Sequence, residues 1–454
     1  MTSGAACLGM AAATAASASS AAELIPAVKP KIRLVFTHPD PERQGWPSQH
    51  YDYESRKKML LAKLRTGCPG SEFLPVTVKT EEEAKQVMAA DAEVDGYILY
   101  MLGIPSAGNE VFALSGRPTA IVDDLYGGTG RFLGTYPRAL REGKPVVGVS
   151  STSDADLFEA VHAFETIRML RASKILDVTE RDLSAIVPAF KDTLGVTIQT
   201  VSADELNNAW KSAGAGEADQ WARQWISNAE KVVEPSEAEI RKSAAMYVGM
   251  RGLLATHQAQ AITVDCLRLF YGDKMFAYPC LGFFQLNNDG LVGACEADLD
   301  STATMLLMTY LTGRPGYISD PVIDTSKNQI IYAHCVAATK VHGPGGKANP
   351  YHIRSHAEDH KGAAIRSLMP LGETVTTLKY LPARKQVVMH LATTVENIDE
   401  ERACRTKLAA TVSNARKLMA EWEHGWHRVT VYGDFKTPVE TVSSLLGFEV
   451  LHEG

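Results

Sequence analysis

The sequence carries no excess of positive charge and has few cysteines. Its 46 Lys and Arg residues against 53 Asp and Glu residues give a formal net charge of −7, which argues against nucleic acid or an anionic membrane as a main partner. Seven irregularly spaced cysteines without a Cys-x-x-Cys pair exclude a disulfide framework and a zinc ribbon. After residue 30 there is no run of about twenty apolar residues, so no transmembrane helix is predicted there. No Gly-x-Gly-x-x-Gly follows the first predicted strand, so a dinucleotide site is not supported.

The first 29 residues differ in composition from the rest of the chain. Residues 1–23 are rich in Ala and Ser, carry no charge before Glu23 and contain several Ala-x-Ala sites, as the apolar and cleavage regions of an export signal do. A disordered Ala-rich tail explains the same composition. The first interpretation predicts a periplasmic or otherwise exported protein and the second a cytoplasmic one, and both stay open. Residues 1–29 are not part of the predicted fold.

Short apolar runs alternate with amphipathic stretches through the first two thirds of the chain. This alternation is typical of parallel sheets that are covered by helices on both faces. It predicts an N-terminal α/β domain over 30–171, which would recognise substrate, and a second α/β domain over 172–314, both Rossmann-like or flavodoxin-like. After residue 314, apolar runs joined by polar turns predict antiparallel strands. The predicted fold class is therefore α/β, with two consecutive parallel-sheet domains followed by a smaller β-rich C-terminal domain over 315–454.

Several local features carry predictions of their own. The run 262–267 is predicted as a strand and 404–421 as a helix, whereas 341–362, rich in Gly, Pro and His, is predicted as a polar surface segment that could act as a mobile lid. A helix is predicted to begin near residue 301, and Asp298 and Asp300 are candidates either for its N-terminal residues or for partners of the metal ligands, with Asp300 favoured as the N-cap. Four cysteines in apolar, strand-like contexts are predicted to be small buried hydrophobic residues: Cys266, Cys280, Cys295 and Cys335.

Four side chains of the C-terminal half can bind a hard divalent metal ion. Glu296, Asp320 and His334 each lie near the end of a short apolar run, and His427 lies far downstream. Carboxylates at strand ends are costly to hold in apolar surroundings unless something neutralises them. A bound cation does so, and it makes the two carboxylates available for acid–base work. These four residues are therefore candidate ligands of one divalent cation.

Two runs of sequence resemble the L-fucose isomerase / L-arabinose isomerase superfamily. The run 279–320, with Pro-Cys-Leu-Gly-Phe, Ala-Cys-Glu-Ala-Asp-Leu-Asp, Gly-Arg-Pro and Ser-Asp-Pro, looks like the catalytic core of these enzymes. The run 426–452, which begins Trp-His-Arg-Val-Thr-Val-Tyr-Gly-Asp, looks like the end of the fucose-isomerase branch. In that family a Glu, a later Asp and a late His hold the metal, and Glu296, Asp320 and His427 match the pattern.

The resemblance also implies a chemistry and an assembly. It implies a metal-dependent aldose–ketose sugar isomerase that works through a cis-enediol, with Glu296 and Asp320 as metal ligands that double as the acid–base pair. The implied cofactor is Mn²⁺ or Mg²⁺, because hard ions prefer oxygen ligands. In the arabinose branch a His comparable to His334 binds metal; here metal ligation, substrate contact and a structural role stay open for it. The superfamily forms trimers and hexamers whose sites are completed by a neighbour's N-terminal domain, so a homo-oligomer is expected.

Four residues in two loop regions are predicted to contact a small-molecule sugar substrate. His38 and Trp46 follow the first predicted strand, and ligands of parallel sheets bind beyond the carboxyl ends of the strands. Arg354 and His356 lie in the polar segment 341–362, from which they could reach sugar hydroxyls. A role in a cap or turn is the plain alternative for loop residues of this kind.

Two other functions fit the same residues. A related metal-dependent lyase or epimerase acting on a modified sugar would use the same stabilisation of an enediolate. An exported carbohydrate-binding protein on an isomerase scaffold would bind sugar without turnover, and the N-terminal segment is the feature that keeps this alternative open. The presence of Glu296, Asp320 and His427 counts against it, because binding alone does not need two acids at a metal.

Overall fold

The structure is a computed structural model that describes residues 21–43, 45–104 and 106–454. Most of the N-terminal segment 1–29, on which the export-signal prediction rests, lies outside the described residues. Among the described residues, no helix combines the length and the apolar character needed to cross a bilayer.

A parallel sheet flanked by helices forms the N-terminal part of the chain. In chain order its elements are α1 (Ala21–Leu24), β1 (Lys31–Thr37), α2 (Tyr53–Gly67), β2 (Glu72–Val78), α3 (Glu81–Ala90), β3 (Gly96–Met101), α4 (Asn109–Ala113), β4 (Thr119–Asp123), α5 (Thr129–Arg141), β5 (Val146–Val149) and α6 (Asp154–Arg171). The strand order is β2-β1-β3-β4-β5, with every pairing parallel, which is the flavodoxin-like order. Every residue of β3 is buried, as expected for a strand covered by helices on both faces.

A second parallel sheet follows and repeats this design. Its elements are β6 (Lys174–Val178), α7 (Val187–Thr193), β7 (Thr197–Val201), α8 (Ala203–Lys211), α9 (Ala215–Asn228), β8 (Lys231–Val232), α10 (Glu237–His257), β9 (Ala261–Val264), α11 (Cys266–Tyr271), α12 (Cys280–Asn288), β10 (Val292–Cys295) and α13 (Leu299–Thr312). The strands β10-β9-β6-β7 pair in parallel, whereas β8 pairs with a later strand. Ser236 caps α10, because its side chain accepts a hydrogen bond from the Glu239 N–H.

The remainder of the chain is dominated by an antiparallel sheet that closes on itself. The elements of this part of the chain are β11 (Tyr317–Asp324), β12 (Gln329–His334), β13 (Tyr351–Arg354), β14 (Ala364–Ser367), β15 (Thr374–Leu381), β16 (Gln386–Asn397), β17 (Thr406–Val412), α14 (Ala415–Ala420), β18 (Arg428–Tyr432), α15 (Lys436–Leu446) and β19 (Glu449–His452). Of these, β13 and β14 form a separate small sheet with β8. The pairing β15-β18-β11-β12-β17-β16 returns to β15, and β19 adds to β16 in parallel. Two parallel-sheet units followed by a β-rich unit confirm the predicted fold class.

Three predictions about the secondary structure of a segment are wrong. The predicted helix over 404–421 is instead the strand β17 and the short helix α14, because pairing with β12 and β16 outweighs the helix-favouring alanines of β17. The predicted strand over 262–267 ends at Val264, and α11 begins two residues later. The polar segment 341–362 contains the mostly buried strand β13, which pairs with β8 and β14 and is therefore not a free surface loop.

A buried carboxylate in β6 makes the second sheet sensitive to pH. Asp177 has no exposed surface, and neither of its carboxylate oxygens accepts a hydrogen bond from the described residues. Burial raises the pKa of Asp177 to about 7, with Asp265 adding to the rise and Arg181 opposing it. Between about pH 4, the ordinary pKa, and pH 7, the folded chain holds a proton that the unfolded chain releases. This group's stabilising contribution is therefore fully present below about pH 4 and is lost as the pH rises through 7.

We expect Asp177→Asn to stabilise the protein more at pH 8 than at pH 5. At pH 8 the variant avoids a buried charge, and its free energy of unfolding should exceed that of the wild type by about 2–4 kcal/mol. Urea unfolding at both pH values measures this difference. The exposed Asp192→Asn serves as the control, with no pH-dependent gain expected. A gain in stability for Asp177→Asn that is equal at both pH values would contradict the raised pKa of Asp177.

Candidate active site

The four candidate metal ligands come together where the second parallel sheet meets one end of the closed sheet. Glu296 directly follows β10, and Asp320 lies within β11. His334 is the last residue of β12, and His427 directly precedes β18. In β11, Asp320 pairs with Ala333 of β12, and Ser319 pairs with Arg428 of β18. This register brings His334 and His427 to either side of Asp320.

The two carboxylates and the two imidazoles approach one another closely. The Glu296 side chain lies between the histidines, with Oε1 3.5 Å from His334 Nε2 and Oε2 3.5 Å from His427 Nε2. Asp320 Oδ1 lies 3.1 Å from His427 Nε2, a contact of ion-pair length whose angle is not that of a hydrogen bond. The two imidazole rings stand edge to face with their centroids 5.6 Å apart.

A strained turn presents Glu296 to this group. Glu296 and the following Ala297 both have positive φ angles, 65° and 50°, a conformation that costs energy for residues with a Cβ. Two hydrogen bonds to the backbone of Ala297 hold the turn. The Ala297 N–H donates to Val264 O at 3.1 Å, and Arg181 Nη2 donates to Ala297 O at 3.0 Å. Arg181 is itself paired with Asp265, with Nε 3.3 Å from Oδ2. Arg181 is thus a positioning residue for Glu296.

Asp298 orients His427. Its Oδ2 accepts from His427 Nδ1 at 2.9 Å and from Lys379 Nζ at 2.8 Å, so the remaining ring nitrogen, Nε2, faces Glu296 and Asp320. Asp298 Oδ1 also accepts from the Ser301 N–H at 3.0 Å and caps α13. The prediction that Asp300 is the N-cap is therefore wrong, because Asp300 already lies in the first turn of the helix.

The charges of this cluster balance one another. Burial raises the pKa of Glu296 and of Asp320, but contact with the histidines lowers both, and each pKa lies below its usual value. Burial lowers the pKa of His427, whereas Asp298 and Asp320 raise it. The carboxylates have the larger effect together, and the pKa of His427 rises to about 9. Near neutral pH the two acids are therefore ionised and need a positive partner, which protonated His427 supplies.

Asp320, His334 and His427 lie close enough to hold a divalent cation, with Glu296 beside them. Both ring nitrogens of His334 and Nε2 of His427 have no hydrogen-bond partner among the described residues, although His334 is only 2 % exposed and His427 5 %. One ligand atom each from Asp320, His334 and His427 lie within 4.8 Å of one another. Ligands of an octahedral hard ion stand about 3 Å apart, since each bond is about 2.1 Å, and the 3.1–3.5 Å contacts are close to that.

These groups open into a cavity of about 400 Å³, a size typical of small-molecule sites. Glu296, Asp320 and His334 form its polar wall, and His427 contacts both carboxylates without lining the cavity itself. The other lining residues include aliphatic, aromatic and sulfur-containing side chains: Leu267, Phe270, Tyr278, Trp426, Cys266, Cys280, Cys295, Cys335 and Cys404. The cavity can therefore hold a compact ligand against two carboxylates.

The predicted substrate contacts are divided between this cavity and other places. His356 lines the cavity, where its Nδ1 lies 3.0 Å from Asp359 Oδ1. Arg354 does not line it, because its guanidinium is held by Glu234 and Glu401. Contact of Arg354 with a sugar stays a prediction.

His38 and Trp46 do not join the cavity either. Both follow β1 at the carboxyl edge of the first sheet, where the His38 ring stacks on Tyr53 with centroids 4.1 Å apart. Trp46 is 56 % exposed, and its indole N–H donates to Tyr126 O. Their contact with a substrate stays a prediction.

Of the three residues that hold the acids and the histidine in place, the sequence indicated only Asp298. It lies two positions after Glu296 in the motif Glu-Ala-Asp, and an acid just before a helix is a typical N-cap. Lys379 and Arg181 carried no such signal, because each reaches the site from a distant element.

Comparison with known proteins finds similarity to one group of enzymes, the sulfoquinovose isomerases. No protein-family model matches the chain. The sulfoquinovose isomerases of Priestia aryabhattai and Priestia megaterium are each 25 % identical over 270 residues, which are 57 % of this chain and 58 % of each relative. The sulfoquinovose isomerase of Alkalicoccus urumqiensis is 26 % identical over 151 residues, 32 % of this chain and 33 % of that protein. The match spans little more than half the length of the first two curated relatives, and over that stretch the chain is similar to sulfoquinovose isomerases.

Proposed function

We propose that the chain is a metal-dependent aldose–ketose isomerase that acts on a free sugar. The observation that carries the proposal is the pair of ionised carboxylates, Glu296 and Asp320, around His427 Nε2 at the wall of the cavity. The similarity to sulfoquinovose isomerases supports the same reaction class.

The chemistry needs a base, an acid and stabilisation of negative charge on oxygen. One carboxylate takes the proton from C2 of the aldose and returns it to C1, while the other passes the hydroxyl proton from O2 to O1. Glu296 and Asp320 suit these roles because both are ionised and both line the cavity. The apolar and sulfur-containing side chains of the wall exclude water and so strengthen the electrostatic interactions inside.

The proposed cofactor is Mn²⁺ or Mg²⁺, held by Glu296, Asp320 and His427 with His334 as a further ligand. When bound, such an ion would polarise the sugar carbonyl and stabilise negative charge on the adjoining oxygens. Asp298 fixes the His427 tautomer for this purpose, and Arg181 holds the turn that carries Glu296.

The charge of the wall bears on the substrate class. Glu296, Asp320 and Glu358 line the cavity, and among its described lining residues there is no Lys or Arg. One copy of the chain therefore favours an uncharged sugar. A sulfonated sugar such as sulfoquinovose would need a cationic group from a second copy. Assembly into a trimer or hexamer, in which a neighbour's His38 and Trp46 would contact the sugar, remains part of the proposal.

We expect ketose formation that depends on the metal. L-Fucose, L-arabinose and sulfoquinovose are incubated with the full chain and Mn²⁺, and the ketose is measured by NMR. Chelation should lower the rate on the preferred sugar by about 100-fold or more, because charge stabilisation by a metal is worth several kcal/mol, and re-added Mn²⁺ should restore it.

Two outcomes would contradict the proposal. One is bound Mn²⁺ with no ketose from any aldose, which would favour a lyase, an epimerase or a binding protein. The other is ketose formation that continues after complete removal of the metal. The uncharged and the sulfonated sugars in one panel also separate the two substrate classes.

A further inference from the structure

Five cysteines converge on the wall of the cavity. Within the described part of the chain the cysteines are all free, and Cys68 alone lies away from this wall. The five that line it come from separate elements: Cys266, Cys280, Cys295, Cys335 and Cys404. A role as small buried hydrophobic residues explains the burial of four of them, but it does not explain why all five, the half-buried Cys404 included, share one cavity with acids and histidines.

Two of these thiols meet beside the carboxylate and the imidazole. Cys266 Sγ lies 3.1 Å from Cys295 Sγ. One ligand atom each from Cys295, Glu296 and His334 lie within 4.8 Å of one another, and His334 Nε2 is 3.5 Å from Glu296 Oε1. The buried His334 ring has no hydrogen-bond partner on either nitrogen among the described residues. One sulfur, one nitrogen and one oxygen therefore lie close together, and the Cys266 thiol adjoins this group through its contact with Cys295.

We propose that Cys266, Cys295, Glu296 and His334 form a site for a thiophilic divalent cation such as Zn²⁺ or Cd²⁺. Zn²⁺ takes four tetrahedral ligands, with sulfur at about 2.3 Å and nitrogen or oxygen at about 2.1 Å. Around such an ion two sulfurs stand about 3.8 Å apart and a nitrogen and an oxygen about 3.4 Å apart. The nitrogen–oxygen distance of 3.5 Å already fits. The Cys266 thiol, 3.1 Å from Cys295 Sγ, would complete the set by turning toward Glu296 and His334.

Soft and hard cations would then compete for shared ligands. Thiolate sulfur selects Zn²⁺ and Cd²⁺, whereas carboxylate-rich sets suit Mn²⁺ and Mg²⁺. Glu296 and His334 belong to both sets, so the two kinds of ion exclude each other. Binding of the thiophilic ion converts two thiols to thiolates and releases two protons to solvent. Competition with the Mn²⁺ site depends on the proposed function, but binding of the thiophilic ion does not.

The test is a Cd²⁺ titration of the full chain, kept reduced under nitrogen. The ultraviolet charge-transfer band of cadmium thiolate reports the ligands, and equilibrium dialysis gives the stoichiometry and the dissociation constant. We expect one Cd²⁺ per chain with a thiolate band. The double variant Cys266→Ser/Cys295→Ser should lose the band, and its dissociation constant should rise by at least about 100-fold, because even an outer partner of a metal ligand contributes 10- to 100-fold. Cys280→Ser, which changes the same wall outside the proposed set, should keep the band.

Several results would overturn the site. These are a thiolate band that survives in the folded double variant, a band that Cys280→Ser removes, or a wild type that binds Cd²⁺ without any thiolate band. If the double variant does not fold, Co²⁺ in the wild type gives the same decision: a tetrahedral thiolate spectrum supports the site and a purely octahedral one refutes it. Failure of every sugar to react would refute the proposed function and leave these binding results unchanged.

Discussion

Glu296→Gln is expected to lower aldose–ketose turnover by about 10³-fold or more. The change removes a proton acceptor, and a positioned base contributes about 10²–10⁴-fold on its own. It also removes one negative charge from the group that would hold the cation. The amide has nearly the same size as the carboxyl group, so the strained turn and its contacts with Val264 and Arg181 should remain.

Turnover and bound metal should be measured on the same samples. With Mn²⁺ in excess, a loss of kcat while metal remains bound would identify proton transfer as the missing step. Glu373→Gln is the matched control, because Glu373 also lies beside a histidine, 3.4 Å from His342, but outside the cavity. It should leave kcat within about twofold, as surface substitutions do. A Glu296→Gln enzyme that kept more than a tenth of the wild-type rate would contradict a catalytic role for this carboxylate.

Glu296, Asp320 and His334 could be selected from sequence because each follows a short apolar run, and His427 because it matches the pattern of the resembling family. Strand ends of a parallel sheet share one edge, and the ends of neighbouring antiparallel strands also meet. The register of β11 with β12 and β18 then brings Asp320, His334 and His427 together. The sequence could not reveal the approach of Glu296 to this group, since it depends on how two sheets pack.

The features that the sequence did not predict share one cause. Each depends on contacts between parts of the chain that are distant in sequence. The alanines of β17 predict a helix. Differences in β-strand propensity are only about 1 kcal/mol, however, and pairing of β17 on both edges outweighs them. Arg354 lies in a polar segment, yet it is buried because Glu234, 120 positions earlier, neutralises it. The cysteines were individually well described as buried residues, but only the folded chain brings five of them to one cavity.

Asp298→Asn is expected to lower the free energy of unfolding by about 3–5 kcal/mol. Asp298 neutralises Lys379, which is 4 % exposed, and His427, which is 5 % exposed. Removing one partner of a buried ion pair leaves an uncompensated charge, which costs about that much. The same change releases His427 Nδ1, so the affinity for Mn²⁺ should fall by about 10- to 100-fold. Urea unfolding at pH 7 and a Mn²⁺ titration measure the two effects.

Asp300→Asn is the matched control, because it makes the same chemical change two positions further along α13. Burial and the neighbouring Asp298 raise the pKa of Asp300 to about 6. Neutralising Asp300 removes a repulsion rather than a partner, so stability should stay equal or rise. Since Asp298 both caps α13 and orients His427, its two losses should appear together. A variant that loses stability but keeps the wild-type Mn²⁺ affinity would contradict the orienting role and leave Asp298 as a helix cap and a counter-ion for Lys379.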